Sequence, residues 1–474
     1  MANEYDVVVL GAGTGGYPTA IRAAQLGLKV AVVERQKALG GTCLIWGCIP
    51  TKVLLEHAHA LKIAQNAKDW GLTIDGGAVR LDMNQVQARK DRIVTTLTRG
   101  VEFLFRKNKI EWIKGTGRLL GNGRVDVSAD AGTQELRATR QIVVATGSTA
   151  RTVPGVVIDR KRIITSDEAI SLKEVPKSIV ILGAGAVGVE FASIFRRYGS
   201  DVTLVELLPR LVPVEDEAVS AELEKAFRKQ GITVRTGTKV TSANASAEGV
   251  DLEAQLPDGK SEKYHADYLL VATGRGPVTE GLGAESVGLA IERGYVRVDE
   301  QYRTNVAGIS AVGDVITLGR LSGHPQLAHV STAEGLIVAE QAAGREARTL
   351  NYDHVPGCTF CDPEISSVGL TEKQAQERGY DVRVGVFPFT ALGRAKIAGE
   401  TDGFVKIVGE KKYDELLGVH IIGPRATELI AEAVVALQME ATVEEVAQSI
   451  HPHPTISEAV GEAAHAVHGL AIHI

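Results

Sequence analysis

Residues 6–16 read Asp-Val-Val-Val-Leu-Gly-Ala-Gly-Thr-Gly-Gly, and residues 178–188 read Ser-Ile-Val-Ile-Leu-Gly-Ala-Gly-Ala-Val-Gly. Each copy places a Gly-x-Gly-x-x-Gly pattern directly after a hydrophobic run. An amphipathic segment follows, and it ends at Gly27 in the first copy and at Gly199 in the second. A second hydrophobic run then leads to a glutamate, 23 positions after the first glycine in both copies. The pattern predicts a buried strand, a tight turn, a helix and a second strand, and the chain contains this unit twice.

A unit of this kind is typical of dinucleotide binding, because each of its parts meets a different piece of the ligand. The first glycine permits the turn, the second lets the backbone approach a pyrophosphate, and the third lets the helix pack closely on the strand. The helix N-terminus stabilises the phosphates, and the terminal glutamate accepts hydrogen bonds from ribose hydroxyls. We therefore expect two dinucleotide sites, the first at Gly11, Gly13, Gly16 and Glu34 and the second at Gly183, Gly185, Gly188 and Glu206.

Three later hydrophobic runs end in a similar way. Residues 142–147 and 269–274 read Ile-Val-Val-Ala-Thr-Gly and Leu-Leu-Val-Ala-Thr-Gly, which predicts a late buried strand for each nucleotide-binding sheet. Residues 309–314 read Ile-Ser-Ala-Val-Gly-Asp and predict a strand that ends at Asp314. Its carboxylate is suited to hold a cofactor hydroxyl, although a plain Gly-Asp turn is equally common.

From about residue 351 the pattern changes to strands followed by helices. This order predicts an antiparallel sheet with helices on one face. The expected strands are Phe360–Leu370, Val382–Pro388, Gly403–Val408 and Leu416–Ile422, and the expected helices are at about 425–440, 442–450 and 455–468.

Length and composition indicate a multidomain globular protein. At 474 residues the chain should form about three or four domains. Acidic and basic residues are interspersed at a net charge of −6, which excludes the basic footprint of a nucleic-acid-binding protein. We find no signal peptide and no apolar run long enough for a membrane span, so we expect a cytoplasmic, reducing environment.

Two cysteines lie just after the first dinucleotide unit, in the run Gly-Gly-Thr-Cys-Leu-Ile-Trp-Gly-Cys-Ile-Pro-Thr-Lys at residues 40–52. Pro50 is favoured early in a helix, so Cys48 should lie at a helix N-terminus, where the dipole stabilises a thiolate. Cys43 lies one short glycine-flanked loop away. A close dithiol beside a bound dinucleotide, with a second dinucleotide available, predicts an oxidoreductase that moves electron pairs through a disulfide. Cys358 and Cys361 fall in the strand expected at 360–370 or next to it, and we interpret them as structural.

Thiol–disulfide exchange requires a base, and the C-terminal segment His451-Pro-His453-Pro-Thr-Ile-Ser-Glu458 supplies one. Two prolines fix the backbone around His453, and Glu458 follows on a helix that Thr455 or Ser457 should cap. A carboxylate bonded to one ring nitrogen would orient the imidazole. A metal site is the alternative, because further histidines lie nearby, at positions 451, 465, 468 and 473, but their spacing fits no familiar ligand set.

At this point the chain resembles the flavin-dependent disulfide reductases, and most closely those members that oxidise dihydrolipoamide. The resemblance covers essentially the whole chain. The motifs that support it are residues 40–52, Leu327-Ala328-His329 with Glu334-Gly335, Asp362-Pro363-Glu364 with 368–371, Gly418–Pro424, and His453-Pro454-Thr455 with Ser457-Glu458. The implied fold class is α/β, with two Rossmann-like dinucleotide-binding domains and a C-terminal α+β dimerisation domain.

The resemblance also implies the domains, cofactors and partners. It assigns residues 1–149 to FAD binding, 150–276 to NAD binding, 277–350 to a central domain that completes the FAD site, and 351–474 to the subunit interface. It implies a homodimer that oxidises protein-bound dihydrolipoamide and reduces NAD⁺. The implied partners are the lipoyl domain and the peripheral-subunit-binding domain of a 2-oxoacid dehydrogenase acyltransferase.

Individual residues acquire roles in the same way. The resemblance implies that Cys43 exchanges with the substrate, that Cys48 faces the flavin, and that His453 and Glu458 serve the cysteines of the other subunit. Lys52 and Glu190 match a pair near the flavin, Asp314 a ribityl contact, and Ala328 a backbone contact to the ring. The remaining implied cofactor contacts are Arg35, Thr42, Gly115, Thr146, Gly147 and Gly274.

Two other functions stay open at this stage. A glutathione reductase-like enzyme would need arginines for the 2′-phosphate of NADPH, whereas Glu206 is followed by Leu207 and Leu208. A non-catalytic flavin-bearing subunit need not keep two cysteines, a histidine and a glutamate. The redox loop departs from the usual pattern at Ile45-Trp46, and His451-Pro452 replaces a common His-Ala, so the redox tuning stays open.

Overall fold

The computed structural model describes residues 3–74, 79–130, 132–319, 321 and 323–474. These residues form two compact units. The first unit combines the residues up to 53 with 84–151 and 274–350, and the second combines 54–83, 152–273 and 351–474. The division into four domains at residues 149, 276 and 350 stays a prediction.

The first unit is built on a largely parallel sheet. Its central strand Asn3–Leu10 lies between Val30–Glu34 and Gly132–Val144, and every residue from Val7 to Leu10 is buried. Strand Ile309–Ala311 pairs in parallel with Gly132–Val144, which confirms the strands predicted at 142–147 and 309–314. The sheet order is Glu111–Lys114, Val30–Glu34, Asn3–Leu10, Gly132–Val144, Arg124–Ala129 and Thr116–Gly121. Arg124–Ala129 pairs antiparallel with both of its neighbours in this order.

Helices and two small sheets complete this unit. Strands Ser148–Ala150 and Arg275–Pro277 pair antiparallel, and Ile291–Glu292, Tyr295–Val298 and Ile316–Leu318 form a second small sheet. The helices are Gly16–Gln25, Gly41–Ile45, the first turns of Cys48–Gln65, most of Met83–Lys107, and Ala328–Ala342, with short 3₁₀ turns at Glu285–Val287 and Gly313–Val315.

The second unit repeats the parallel plan. Strand Ser178–Leu182 lies between Asp201–Val205 and Tyr268–Val271, and helix Ala186–Tyr198 connects the first two strands. The predicted repeat is therefore confirmed as two strand–helix–strand units. The sheet order is Thr233–Arg235, Asp201–Val205, Ser178–Leu182, Tyr268–Val271 and Ile163–Ile164, and helices Ser166–Ala169 and Glu217–Lys229 and the antiparallel strands Lys239–Ala245, Val250–Gln255 and Ser261–Ala266 complete this part.

The C-terminal part of the second unit is an antiparallel sheet, as predicted. Its order is Gly357–Thr359, Glu364–Gly369, Leu416–Gly423, Phe404–Glu410 and Val382–Pro388. The continuous strand expected at Phe360–Leu370 is wrong, because two strands are separated by a turn at residues 360–363. Pro363 lacks the N–H that a ladder requires, and a proline inside a strand favours such a break. The short helices here are Glu372–Glu377 and Gly393–Ala398, with 3₁₀ turns at Ala67–Trp70, Tyr352–His354 and Phe389–Ala391 elsewhere in the unit.

Helices Ala426–Gln438, Val443–Gln448 and Glu458–Val467 cover one face of this sheet. Val405 and Ile407 share a hydrophobic core with these helices, whereas Val408 belongs to a separate cluster with Leu370 and Ala375. This division follows from strand geometry, in which alternate side chains point to opposite faces. Among the described helices, none combines the length and the apolar composition that a bilayer crossing requires.

Candidate functional site

The first glycine turn is closed so tightly that side chains are excluded at two positions. Gly11 has φ +102°, and a Cβ there would lie 2.3 Å from the carbonyl oxygen of Ala145. A Cβ on Gly16 would lie 1.9 Å from the carbonyl oxygen of Gly11. The turn and the helix–strand contact therefore require glycine, as the dinucleotide pattern predicts.

Glu34 ties the end of the second strand back to this turn. Its Oε2 accepts the N–H of Ala12 at 2.8 Å, and its Oε1 accepts the N–H of Gln36 at 2.8 Å. The side chain is buried, so these hydrogen bonds also satisfy a carboxylate removed from water. A carboxylate oxygen has further acceptor capacity, which leaves Glu34 able to accept a ribose hydroxyl.

The loop that carries the cysteines is packed directly on the glycine turn. A Cβ on Gly41 would lie 2.5 Å from the Cα of Gly13, and Gly40 donates its N–H to the carbonyl oxygen of Ala12 at 2.9 Å. Helix Cys48–Gln65 begins at Cys48, which confirms the predicted helix start. Both cysteines are thereby fixed beside the first dinucleotide turn.

The Cys43 thiol shares a hydrogen bond with Cys48. This hydrogen bond and partial burial raise the pKa of the Cys43 thiol well above its ordinary range. Lys52, one turn into the helix, acts in the opposite direction, and the carboxylate of Asp314 adds to the increase in the pKa. Burial and the neighbouring Cys43 also raise the pKa of Tyr17. The charges of Lys52 and Asp314 therefore act on the pKa of Cys43 in opposite directions.

Cys43 and Asp314 line a cleft that also opens along the first glycine turn. The cleft is walled by the glycine turn on one side and by the cysteine loop on the other. Of the predicted cofactor contacts, it is lined by Gly11, Gly13, Glu34, Arg35, Thr42, Gly115, Thr146, Gly147 and Asp314, and Cys43 and Trp46 also face it.

Asp314 is held by residues that the sequence did not indicate. Its Oδ2 accepts a hydrogen bond from the Ser148 hydroxyl at 2.5 Å, and the Nε of Arg275 donates to the same hydroxyl oxygen at 2.8 Å. On the other side, the N–H of the preceding Gly313 binds the buried carboxylate of Glu334 at 2.7 Å. The sequence feature that could have identified Ser148 and Arg275 is their position, because each directly follows one of the two Ala-Thr-Gly runs.

The other predicted flavin-site residues are distributed over both units. Lys52 and Ala328 belong to the first unit, and Ala328 begins the helix Ala328–Ala342. Glu190 belongs to the second unit, where its Oε1 accepts the N–H of Phe360 at 2.9 Å. Gly274, in the first unit, has φ +111°. The pairing expected between Lys52 and Glu190 stays a prediction.

The second glycine turn repeats the geometry of the first. A Cβ on Gly188 would lie 1.9 Å from the carbonyl oxygen of Gly183, and a Cβ on Gly185 would meet no atom within 4 Å. Glu206 accepts the N–H of Ala184 at 2.6 Å and the N–H of Leu208 at 2.8 Å, as Glu34 does in the first copy. This turn therefore has the same anchored acid as the first, with an open position at its second glycine, whereas a Cβ on Gly13 would lie 3.8 Å from the Cα of Gly41.

His453 and Glu458 form the pair that the sequence predicts. The Nδ1 of His453 lies 2.8 Å from Oε1 of Glu458, and the imidazole side chain is 79 % exposed. Burial raises the pKa of Glu458, but hydrogen bonds from His453 and from the N–H of Thr455 bring it below its ordinary value. Ser457 is the N-cap residue of helix Glu458–Val467, one of the two predicted positions, but its side chain makes no capping hydrogen bond, and the Thr455 hydroxyl binds the carbonyl oxygen of Pro452.

Three of the four neighbouring histidines are each paired with a different acid. His451 binds Glu432, His468 binds Asp414, and His473 binds Glu462, all at 2.7 Å. Within the described residues no group of three or more histidine, cysteine, aspartate or glutamate side chains is arranged to hold a metal ion. Cys358 and Cys361 also have separate partners, at the carbonyl oxygens of Thr427 and Pro363.

Comparison with known proteins covers almost the whole chain. Residues 5–335 match the model of the pyridine nucleotide-disulphide oxidoreductase family, and residues 355–464 match its dimerisation domain. The chain is 45 % identical to dihydrolipoyl dehydrogenase of Bacillus subtilis and 46 % identical to dihydrolipoyl dehydrogenase 3 of Pseudomonas aeruginosa, with 100 % of each chain covered. Among solved structures, LpdA from Mycobacterium tuberculosis superposes with a TM-score of 0.87 at 27 % identity, over 98 % of this chain and 99 % of that one.

Proposed function

The chain belongs to the pyridine nucleotide-disulphide oxidoreductase family, and we propose that it oxidises protein-bound dihydrolipoamide to lipoamide while it reduces NAD⁺ to NADH. The observation that carries this proposal is the hydrogen-bonded pair Cys43 and Cys48, with Cys43 in the wall of a cleft that the first glycine turn and Glu34 also line. Full-length identity of 45–46 % to dihydrolipoyl dehydrogenases supports the substrate.

The cofactors of this family are FAD and NAD, and the residues of this chain fit them. The first glycine turn, Glu34 and Asp314 would hold FAD in the cleft, and the second turn with Glu206 would hold NAD. The two residues after Glu206 are the exposed leucines Leu207 and Leu208. A leucine cannot bind the 2′-phosphate of NADPH as an arginine would, so these positions favour NAD. Bound FAD would supply two-electron transfer between the reduced cysteines and NAD⁺.

The chain's own residues carry out the exchange of the disulfide. In the oxidised enzyme, the bridge between Cys43 and Cys48 is attacked at Cys43 by a thiolate of dihydrolipoamide, while Cys48 leaves as the thiolate. The second substrate thiol then attacks the mixed disulfide, so that lipoamide is released and Cys43 becomes a thiolate. His453 of the partner subunit accepts the substrate proton at Nε2, because its Nδ1 is occupied by Glu458.

The dimerisation domain supports a homodimer, and the proposed exchange requires one. We further propose that the substrate arrives on the lipoyl domain of a 2-oxoacid dehydrogenase acyltransferase, and that the peripheral-subunit-binding domain of that protein docks on the dimer. Co-migration of the purified chain with such a di-domain in gel filtration would support this partner. Separate migration at micromolar concentration would contradict it.

The test of the function is the variant Cys48→Ser, with Cys358→Ser as the matched control. We expect Cys48→Ser to abolish NAD⁺ reduction by dihydrolipoamide while the protein keeps its flavin absorbance. Cys358 lies outside the cleft, so its variant should keep full turnover. Full activity of Cys48→Ser would refute the assignment. Faster turnover of glutathione disulfide with NADPH than of lipoamide with NADH would show that glutathione disulfide, and not lipoamide, is the substrate.

A further inference from the structure

Ser148 is a buried hydroxyl placed between a cation and an anion. Its side chain lies at the wall of the cleft, next to Asp314 and Thr42, and the residue is only 8 % exposed. The Nε of Arg275 lies 2.8 Å from its oxygen, and Oδ2 of Asp314 lies 2.5 Å from the same oxygen. The Ser148 hydroxyl therefore links the guanidinium of Arg275 to the carboxylate of Asp314.

The chemistry of the three groups fixes the direction of both hydrogen bonds. A guanidinium has no acceptor, and an ionised carboxylate has no donor. Ser148 must therefore accept from Arg275 and donate its single proton to Asp314. Hydrogen bonds between a charged group and a partner are stronger than neutral ones, so this chain of two links holds the Asp314 carboxylate in one orientation.

The same guanidinium also reaches the loop that carries the cysteines. Its Nη2 donates to the carbonyl oxygen of Ser148 at 2.8 Å and approaches the Thr42 hydroxyl, the residue before Cys43, at 3.5 Å. Strands Arg275–Pro277 and Ser148–Ala150 pair antiparallel, and this pairing fixes the two residues relative to each other. The Arg275 side chain thus binds Ser148, which binds Asp314, and it approaches Thr42 in the loop that carries the cysteines.

We propose that Arg275, acting through Ser148, is a positioning residue that orients Asp314 and balances its negative charge beside the Cys43–Cys48 pair. The assignment of the cleft to a flavin disulfide reductase rests on the proposed function, whereas the effect on the thiols does not. Asp314 raises the pKa of the Cys43 thiol, and a carboxylate whose charge is paired raises it less. Arg275 therefore favours formation of the Cys43 thiolate without touching the sulfur.

The experiment measures how the reactivity of Cys43 depends on pH in the holoenzyme reduced with dithiothreitol. Iodoacetamide alkylates the thiolate, and mass spectrometry of the peptides separates Cys43 from Cys48. In Arg275→Gln and in Ser148→Ala we expect the midpoint of the alkylation profile to rise by about half a pH unit, so that the rate below the midpoint falls about threefold. Arg275→Lys restores the positive charge and should move the midpoint back towards the wild-type value.

Two controls make the proposal falsifiable. Arg297→Gln removes the same charge from an exposed position of the same unit and should leave the profile unchanged. In an Asp314→Asn background, the effect of Arg275→Gln should disappear, because no carboxylate remains to be balanced. An undiminished effect in that background, or an unchanged profile in a folded Ser148→Ala protein, would overturn the proposal. Absence of lipoamide turnover would instead overturn the proposed function, since the thiol measurement involves no turnover.

Discussion

Oε1 of Glu458 lies 2.8 Å from Nδ1 of His453, on an imidazole that is otherwise open to solvent. The carboxylate also accepts the N–H of Thr455 at 2.8 Å through Oε2, which fixes it relative to the backbone before the helix. An ionised carboxylate selects the tautomer that carries its proton on Nδ1. The nitrogen that remains free to accept a proton is therefore Nε2.

Replacement of Glu458 by Gln should lower turnover while it leaves the fold intact. The amide no longer selects the productive tautomer, and general-base catalysis contributes about 10²–10⁴-fold, so we expect kcat with dihydrolipoamide to fall about tenfold to a hundredfold. The measurement is steady-state NADH production. Glu462 is the matched control, because it lies one turn later on the same helix and binds His473 at 2.7 Å. Equal losses in Glu458→Gln and Glu462→Gln would contradict a specific role for the His453 pair.

The second glycine turn allows its binding and folding roles to be separated. Gly185 has an extended backbone, with φ −72° and ψ −177°, and a Cβ there meets no protein atom, whereas a Cβ on Gly188 collides with main chain. Gly185→Ala should therefore fold normally but bind NADH about tenfold more weakly, because the methyl group occupies the space of the pyrophosphate. Gly188→Ala should lower the free energy of unfolding by about 1–3 kcal/mol through overpacking. Fluorescence titration with NADH and urea unfolding test the pair, and normal NADH affinity in Gly185→Ala would exclude this loop as the site.

Local pattern was sufficient to predict the two nucleotide-binding units. Strand, glycine turn, helix and terminal acid are all encoded within about 30 residues, so the spacing from Gly11 to Glu34 could be recognised in sequence. The cysteine loop was predictable for the same reason, since Pro50 marks the start of the helix that begins at Cys48. The error at Phe360–Leu370 is also local, because hydrophobic content was given more weight than Pro363.

The residues that sequence reasoning missed are brought together by pairing of distant strands. Ser148 and Arg275 are 127 positions apart and meet because Ser148–Ala150 pairs with Arg275–Pro277. Neither side chain has a distinctive local context beyond the preceding Ala-Thr-Gly run. Polar networks of this kind depend on register, and register is set by the tertiary fold.

A buried ion pair joins two parts of the second unit. Lys406 is 5 % exposed, and its Nζ lies 2.9 Å from Oδ1 of Asp216, which also accepts the N–H of Ala218 and so caps helix Glu217–Lys229. Burial raises the pKa of Asp216, but the hydrogen bonds from Lys406 bring it below its ordinary value. The charge of Asp216 is thus matched inside the protein.

Asp216→Asn should lower the free energy of unfolding by about 3 kcal/mol, because removal of one partner leaves a buried ammonium poorly compensated. The amide oxygen can still cap the helix, so the loss reports on the charge. Glu372→Gln is the matched control: Glu372 binds the same ammonium at 2.7 Å, but its side chain is 39 % exposed, and we expect a loss below about 1 kcal/mol. Urea unfolding at pH 7 measures both variants, and a larger loss in Glu372→Gln would show that Asp216 is not the principal counter-ion.

The His451–Glu432 pair should give a stabilisation that depends on pH. The hydrogen bond to Glu432 raises the pKa of His451 above its ordinary value in spite of partial burial, and the charge of Glu458 acts in the same direction. Because the pKa is higher in the folded chain, the contribution is complete below the unfolded value of about 6.5 and is lost as the pH rises through the folded value. Glu432 is 38 % exposed, so solvent screening limits the effect to about 0.5–1 kcal/mol.

Urea unfolding should therefore show Glu432→Gln less stable than wild type at pH 6 and nearly equal to it at pH 9. Glu428→Gln, one turn earlier on the same helix and exposed, should show no such difference between the two pH values. A loss in Glu432→Gln that is the same at both pH values, or larger at pH 9, would mean that the imidazole is not protonated by this contact.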